Sequence, residues 1–211
     1  MNFLAHLLLG PPQPQQALGS LLGDFVKGPV ANLALPPAVR EGVWLHRRID
    51  VFTDSHPLVL ASKARVSSER RRFAGIMVDM FYDHLLARHW ARFSAQPIEH
   101  FTQQMYAGLL AQQALIPEHA WPVIQRMAEQ DWLSSYAELE QLERALTNMG
   151  RRLRRDNRLA GSVLELERDY GGFEADFLAF MPEVIDYAAT QAAALKSDPD
   201  LRALLSGSPN A

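Results

Sequence analysis

Phe73–Phe93, FAGIMVDMFYDHLLARHWARF, is the stretch whose reading decides the fold class. At about 100° per residue, Ile76, Met80, Ala87 and Trp90 fall on one face of an amphipathic helix. That face also carries acids. Asp83 projects into its middle, Asp79 lies beside it at i−4, and His84 sits near its border. Ala38–Asp54 repeats the pattern, with Val39, Gly42, Val43 and Ile49 around His46 and Asp50, again at i,i+4. Burying an unpaired carboxylate is very costly. Two helices that spend their inner faces on Asp and His therefore need a compensating charge, and a metal ion is the economical candidate.

Working outward, almost every segment shows helical periodicity. Residues 2–9 form a short apolar helix or extended lead-in, ended by Gly10-Pro11-Pro12. Helices are expected over Pro14–Val26, from Pro36-Pro37 to Asp54, and from near Pro57 with Ser55 as N-cap. Ser67 or Ser68 starts the long helix through Phe93. Further helices are expected over Pro97–Leu115, Pro117–Gln130, Ser134–Arg155 and Phe173–Leu195, the last kinked at Pro182. No alternating run long enough for a strand is present. The expectation is all-α, a single globular domain of about eight helices over 1–196, followed by a mobile tail over 197–211 rich in Ser, Asp, Pro and Gly.

Composition narrows the function classes. The 211 residues suit one domain, and with 48% hydrophobic residues the chain can bury a substantial core. A net charge of −3 gives no global reason to expect nucleic acid as a partner. Cysteine is absent, which removes disulfides, thiolate metal sites and cysteine nucleophiles. The opening MNFLAHLLLGPP is apolar but short, is interrupted by His6 and has no Lys or Arg before it, so a secretory signal is not expected. No run approaches the roughly 18 apolar residues that span a bilayer, and a cytoplasmic location is expected. A G-x-S-x-G elbow, a P-loop, a dinucleotide fingerprint and H-E-x-x-H are all missing.

The polar positions gain weight when taken together. His46 with Asp50, and Asp79 with Asp83 and His84, place metal-competent groups on two helices. His6 in its leucine-rich run and Asp24 between Gly23 and Phe25 extend the pool. Carboxylates and imidazoles without thiolates favour Mn²⁺, Mg²⁺, Fe²⁺ or Zn²⁺. The competing reading is an internal salt-bridge cluster, since Arg47 lies only about 60° from Asp50 around the helix.

These residues resemble one family closely, the acyl carrier protein phosphodiesterases. The matching blocks are Met1-Asn2-Phe3-Leu4-Ala5-His6-Leu7, Gly19-Ser20-Leu21-Leu22-Gly23-Asp24-Phe25-Val26, His46-Arg47-Arg48-Ile49-Asp50 with Thr53-Asp54, and Asp79 with Asp83-His84 and Arg88-His89-Trp90. A looser likeness continues through Trp132-Leu133 and Tyr136. The resemblance implies a divalent-metal enzyme, with manganese typical and a distant likeness to HD-domain phosphohydrolases. It implies cleavage of the phosphodiester between 4′-phosphopantetheine and a serine of acyl carrier protein. This chain departs from the HD pattern, having no adjacent His-Asp pair, only the reversed Asp83-His84.

The expected metal ligands are His6, Asp24, His46, Asp79, Asp83 and His84, and the expected catalytic group is Asp24, His46, Asp50, Asp83 and His84. Asp50 and Asp79 are ligands or orient the imidazoles. Arg47 and Arg48 are candidate phosphate contacts, against surface ion pairing. The basic run holding Arg151, Arg152, Arg154 and Arg155 is a candidate docking surface for an acidic carrier protein, against a solvated helix end. Two other readings stay open: a metal phosphohydrolase of a nucleotide or another small phosphoester, and a non-catalytic helical protein that binds acyl carrier protein.

Overall fold

Prolines mark where many of the helices begin. Pro14, Pro37, Pro57 and Pro199 open four of them, where a missing N–H costs nothing and the fixed φ is already helical. The computed structural model describes residues 1–153 and 157–207. Within these the chain is all-α, and no strand forms among the described residues. The helices are α1 (Phe3–Leu9), α2 (Pro14–Leu22), α3 (Pro37–Ser55), α4 (Pro57–Arg65), α5 (Ala74–Arg88) and α6 (Ile98–Leu110). They continue as α7 (Trp121–Glu129), α8 (Trp132–Ser135), α9 (Leu139–Arg152), α10 (Val163–Arg168), α11 (Tyr170–Ser197) and α12 (Pro199–Ser206).

The described residues thus hold twelve α-helices rather than about eight, because long periodic stretches break into shorter pieces. The expected helix from Ser67 to Phe93 is α5 alone, flanked by 3-10 turns at Arg71–Phe73 and Trp90–Arg92. It is not amphipathic either. Every residue from Met80 to Ala87 is buried, whereas Ile76 is only partly so. A helix surrounded by its neighbours has no need of a polar face. The stretch 134–155 is split between α8 and α9. At the start of α4 the cap is His56, not Ser55; its Nδ1 accepts the Leu58 N–H at 3.3 Å.

Residues 197–207, expected as the start of a mobile tail, extend α11 to Ser197 and then form α12. Leu205 is buried, and the Arg40 guanidinium donates to the carbonyls of Leu205 and Gly207. Asp198 caps this helix through Asp200 and Leu201 N–H, which is why a polar segment can dock as a helix. Residues 208–211 lie outside the described residues.

What positions the site is the centre of the bundle. Short α1 is almost wholly buried and packs on α2 and α5. Helices α2 and α3 pack most closely of all. A Cβ on Gly19 would fall 2.1 Å from the Val39 carbonyl, and one on Gly42 2.1 Å from the Gln16 carbonyl, so the two backbones touch because neither residue has a side chain. Long α11 covers α3 and α4 from the other side. No helix among the described residues is long and apolar enough to cross a membrane.

Candidate functional site

Three segments deliver the polar groups to one place. The middle of α1 supplies His6, the chain just past α2 supplies Asp24, and α3 supplies His46 and Asp50 one turn apart. The close approach of α2 and α3 brings these last three together. Gly23 sits directly against His46, and a Cβ there would land 2.2 Å from the imidazole ring. The His46 Nδ1–H donates to the Ser20 carbonyl at 2.7 Å, which fixes the tautomer and turns Nε2 towards the acids. Nε2 lies 3.0 Å from Asp50 Oδ2 and 3.5 Å from Asp24 Oδ1.

His6 completes the group. Its ring stacks on His46 at 3.8 Å between centroids, and its Nε2 lies 3.0 Å from Asp50 Oδ1. That contact lacks hydrogen-bond alignment, and both His6 nitrogens are buried without a hydrogen-bond partner. One donor atom from each of His6, His46 and Asp50 falls within 4.8 Å of the others. Stacked imidazoles also resist carrying two protons. Burial, then the neighbouring His46, pushes His6 down to about 4. Burial opposes charge on His46 too, but the adjacent Asp24 and Asp50 carboxylates outweigh it and carry the group up to about 9. Burial likewise opposes ionisation of Asp50, yet the two imidazoles beside it hold it below the ordinary carboxylate range.

An orphaned, neutral imidazole beside a second imidazole and an ionised carboxylate is a donor set that fits a divalent cation. His46 already shows the arrangement typical of a metal ligand, with its far nitrogen donating to a backbone carbonyl.

Other expected members of the centre are placed elsewhere. Asp79 is adjacent, 3.0 Å from the Met1 nitrogen, which itself lies 4.0 Å from Asp50. Asp83 is 0% exposed, and its two oxygens accept the Leu4 and Ala5 N–H groups at 2.9 and 3.2 Å. These are first-turn donors of α1, so Asp83 anchors the helix that carries His6 rather than joining His6. His84 is likewise taken up: Nδ1 meets the Tyr136 carbonyl at 2.8 Å and Nε2 the Tyr170 hydroxyl at 3.0 Å. The periodicity is right about their burial. It does not see that each already has partners, which set Asp83 and His84 apart from the group of His6, His46 and Asp50.

The expected phosphate contacts are also engaged. Arg47 donates to the Gly28 and Val26 carbonyls at 2.6 and 2.9 Å, which ties the loop after α2 to α3. Arg48 points to Gln191 on α11 and lies over the Trp44 ring.

Asp24 leads outward. It is 47% exposed on its side chain and forms one wall of a cavity of about 970 Å³. The rest of the wall comes from α1, α7, α8 and α9 and includes Phe3, Trp132, Asn148 and Met149. Arg126, Arg144, Arg151 and Arg152 also line it, all exposed, against Asp24 as its acid. Arg151 and Arg152 were expected at a docking surface, whereas Arg154 and Arg155 lie outside the described residues. Sequence reasoning missed the groove, because no local pattern ties Arg126 or Trp132 to Asp24.

Comparison with known proteins identifies the family. The family described as acyl carrier protein phosphodiesterase matches residues 1–184. An acyl carrier protein phosphodiesterase of Serratia proteamaculans (strain 568) is 39% identical over 189 residues, covering 89% of this chain and 97% of the relative. Proteins of the same name from Yersinia pestis and Salmonella agona (strain SL483) are 35% and 34% identical, over 89% and 91% of this chain and 97% and 100% of their own lengths. No solved structure matches the chain. The described residues form an all-helical fold, and these matches place the chain among the phosphodiesterases, a class of hydrolase. The chain belongs to the acyl carrier protein phosphodiesterase family.

Proposed function

We propose that this protein hydrolyses the phosphodiester joining 4′-phosphopantetheine to a serine of holo-acyl carrier protein, releasing apo-protein, and that it does so with a divalent metal. The observation that carries the metal reading is the buried His6 imidazole, without a hydrogen-bond partner beside His46 and Asp50. Full-length similarity to proteins named for the carrier-protein activity supports the substrate. His6, His46 and Asp50 would hold the ion, with Asp24 as a further donor on the open side. Manganese is the expected metal, and Mg²⁺, Fe²⁺ and Zn²⁺ suit the same N/O donors. Bound there, the ion supplies Lewis acidity that eases deprotonation of water and neutralises phosphoryl charge.

The chain's own residues supply the rest. Ser20 holds the His46 ring in one orientation through Nδ1. Asp50 bridges the edges of the two stacked imidazoles, one carboxylate oxygen 3.0 Å from each Nε2. Asp24, half in solvent and 3.5 Å from His46 Nε2, is placed to hold or pass a proton where the groove opens. Asp83 contributes by fixing α1, and through it the depth of His6. Arg151 and Arg152, exposed at the groove, suit an acidic carrier protein as docking partner.

The test is mass spectrometry of holo-acyl carrier protein after incubation with this protein and Mn²⁺. Loss of the prosthetic group, blocked by a chelator and restored by metal, is the expected result. An intact carrier under Mn²⁺, Mg²⁺, Fe²⁺ and Zn²⁺ alike overturns the reading. A nucleotide panel run alongside separates it from a general phosphohydrolase.

A further inference from the structure

We infer that the groove walled by α7, α8 and α9 is the slot for the pantetheine chain of the carrier's prosthetic group, an inference that rests on the phosphodiesterase reading above. Continuity is the first argument. Asp24 is both a wall of this groove and a neighbour of His46 at 3.5 Å, so a phosphoester at the cluster can extend one substituent past Asp24 into the groove. A phosphodiester has two substituents. One here is a folded protein, too broad to enter a slot. The other is a slender chain bearing a gem-dimethyl carbon, a secondary hydroxyl, two secondary amides and a terminal thiol.

The lining matches that chain. Phe25, Trp132 and Met149 offer apolar surface for the methyl and methylene segments, while Gln130, Gln141 and Asn148 place carboxamides alongside, able to donate to and accept from amides. A cavity of about 970 Å³ lies near the top of the range for small-molecule sites. It therefore holds the free chain with space left for an acyl group on sulfur. The exposed Arg126, Arg144, Arg151 and Arg152 sit on the same lining, where an acidic carrier would rest while its arm lies inside. Docking face and slot are one continuous surface ending at the cluster.

The Mn²⁺-loaded protein, titrated by calorimetry with inorganic phosphate and with 4′-phosphopantetheine, tests this. Phosphate reads the cluster alone; the longer ligand reads cluster plus groove. The groove predicts at least about tenfold tighter binding of 4′-phosphopantetheine, the extra affinity coming from buried chain. Ala145, on α9 and in the lining, becomes the plug: Ala145→Trp should erase the preference and leave phosphate affinity within about twofold. Equal affinities in the unaltered protein, or a preference that survives the plug, overturn the proposal. If the variant fails to fold, a crystal of the unaltered protein soaked in 4′-phosphopantetheine decides, with the chain in the groove or outside it. A protein that shows the preference yet leaves holo-carrier intact defeats only the hydrolytic reading. One that releases the group but shows no preference defeats only the groove.

Discussion

Two buried polar regions of this molecule look alike in sequence and differ in what their atoms do. On α5, Asp83 and His84 are surrounded by apolar side chains, and every ring nitrogen and carboxylate oxygen has a partner at 3.2 Å or less. Between α1 and α3, His6 and His46 are comparably buried, with the partly exposed Asp50 beside them, yet both His6 nitrogens lack a hydrogen-bond partner and the imidazoles stack on each other. The first region uses polar groups to organise backbone: Asp83 replaces the water that α1's first-turn donors would otherwise need. The second leaves donor atoms aimed at a common point. Burying such groups unsatisfied is unfavourable for folding, so their persistence points to a ligand that satisfies them.

Substitutions that read activity and stability separately probe this contrast. His46→Ala removes a proposed ligand and should lower kcat/KM on holo-carrier protein by about a thousandfold or more, with Mn²⁺ binding lost in calorimetry. Gly23→Ala should approach the same loss without touching any donor, because its Cβ would displace the His46 ring. Asp83→Ala should do the reverse. Orphaning two buried N–H groups at the start of α1 is expected to cost about 3 kcal/mol in denaturant unfolding. The folded fraction should still bind Mn²⁺; a variant of full stability with no metal binding would move Asp83 back into the centre.

A titration sharpens the same point. Burial pushes the Asp83 carboxyl up to about 7, against the pull of the Leu4 and Ala5 N–H bonds. Between about pH 4 and 7 the folded protein then binds more protons here than the unfolded chain, so stability is greatest below that window and falls as pH rises through it. In the metal-free protein, Asp83→Asn should flatten this slope, measured by urea unfolding across pH. An unchanged slope would assign the titration elsewhere. The smallest effect is expected at the docking face. The double substitution Arg151→Ala with Arg152→Ala should raise KM by roughly threefold to tenfold at low salt and by less at high salt.

Much of this was legible along the chain. The all-helical character, the proline-marked starts and the inward placement of His6 and His46 follow from periodicity and from where Pro sits. Less legible were the breaks. The 3-10 turns beside α5, and the split between α8 and α9, depend on packing that local propensity does not report. The helix α12 is illegible for a related reason: it owes its place to Leu205 and to Arg40, more than 160 residues away in sequence.

The amino-acid order alone determined which groups can lie towards the core, because hydrophobic spacing fixes which side of a helix turns inward. It determined the absence of thiolates and the choice of nitrogen and oxygen donors. Only the tertiary structure decided which buried groups are satisfied. Whether Asp83 finds two backbone N–H groups, or His6 finds none, depends on how α1 lies between α3 and α5. Periodicity gives direction from a helix axis, whereas hydrogen bonding depends on distances between helices.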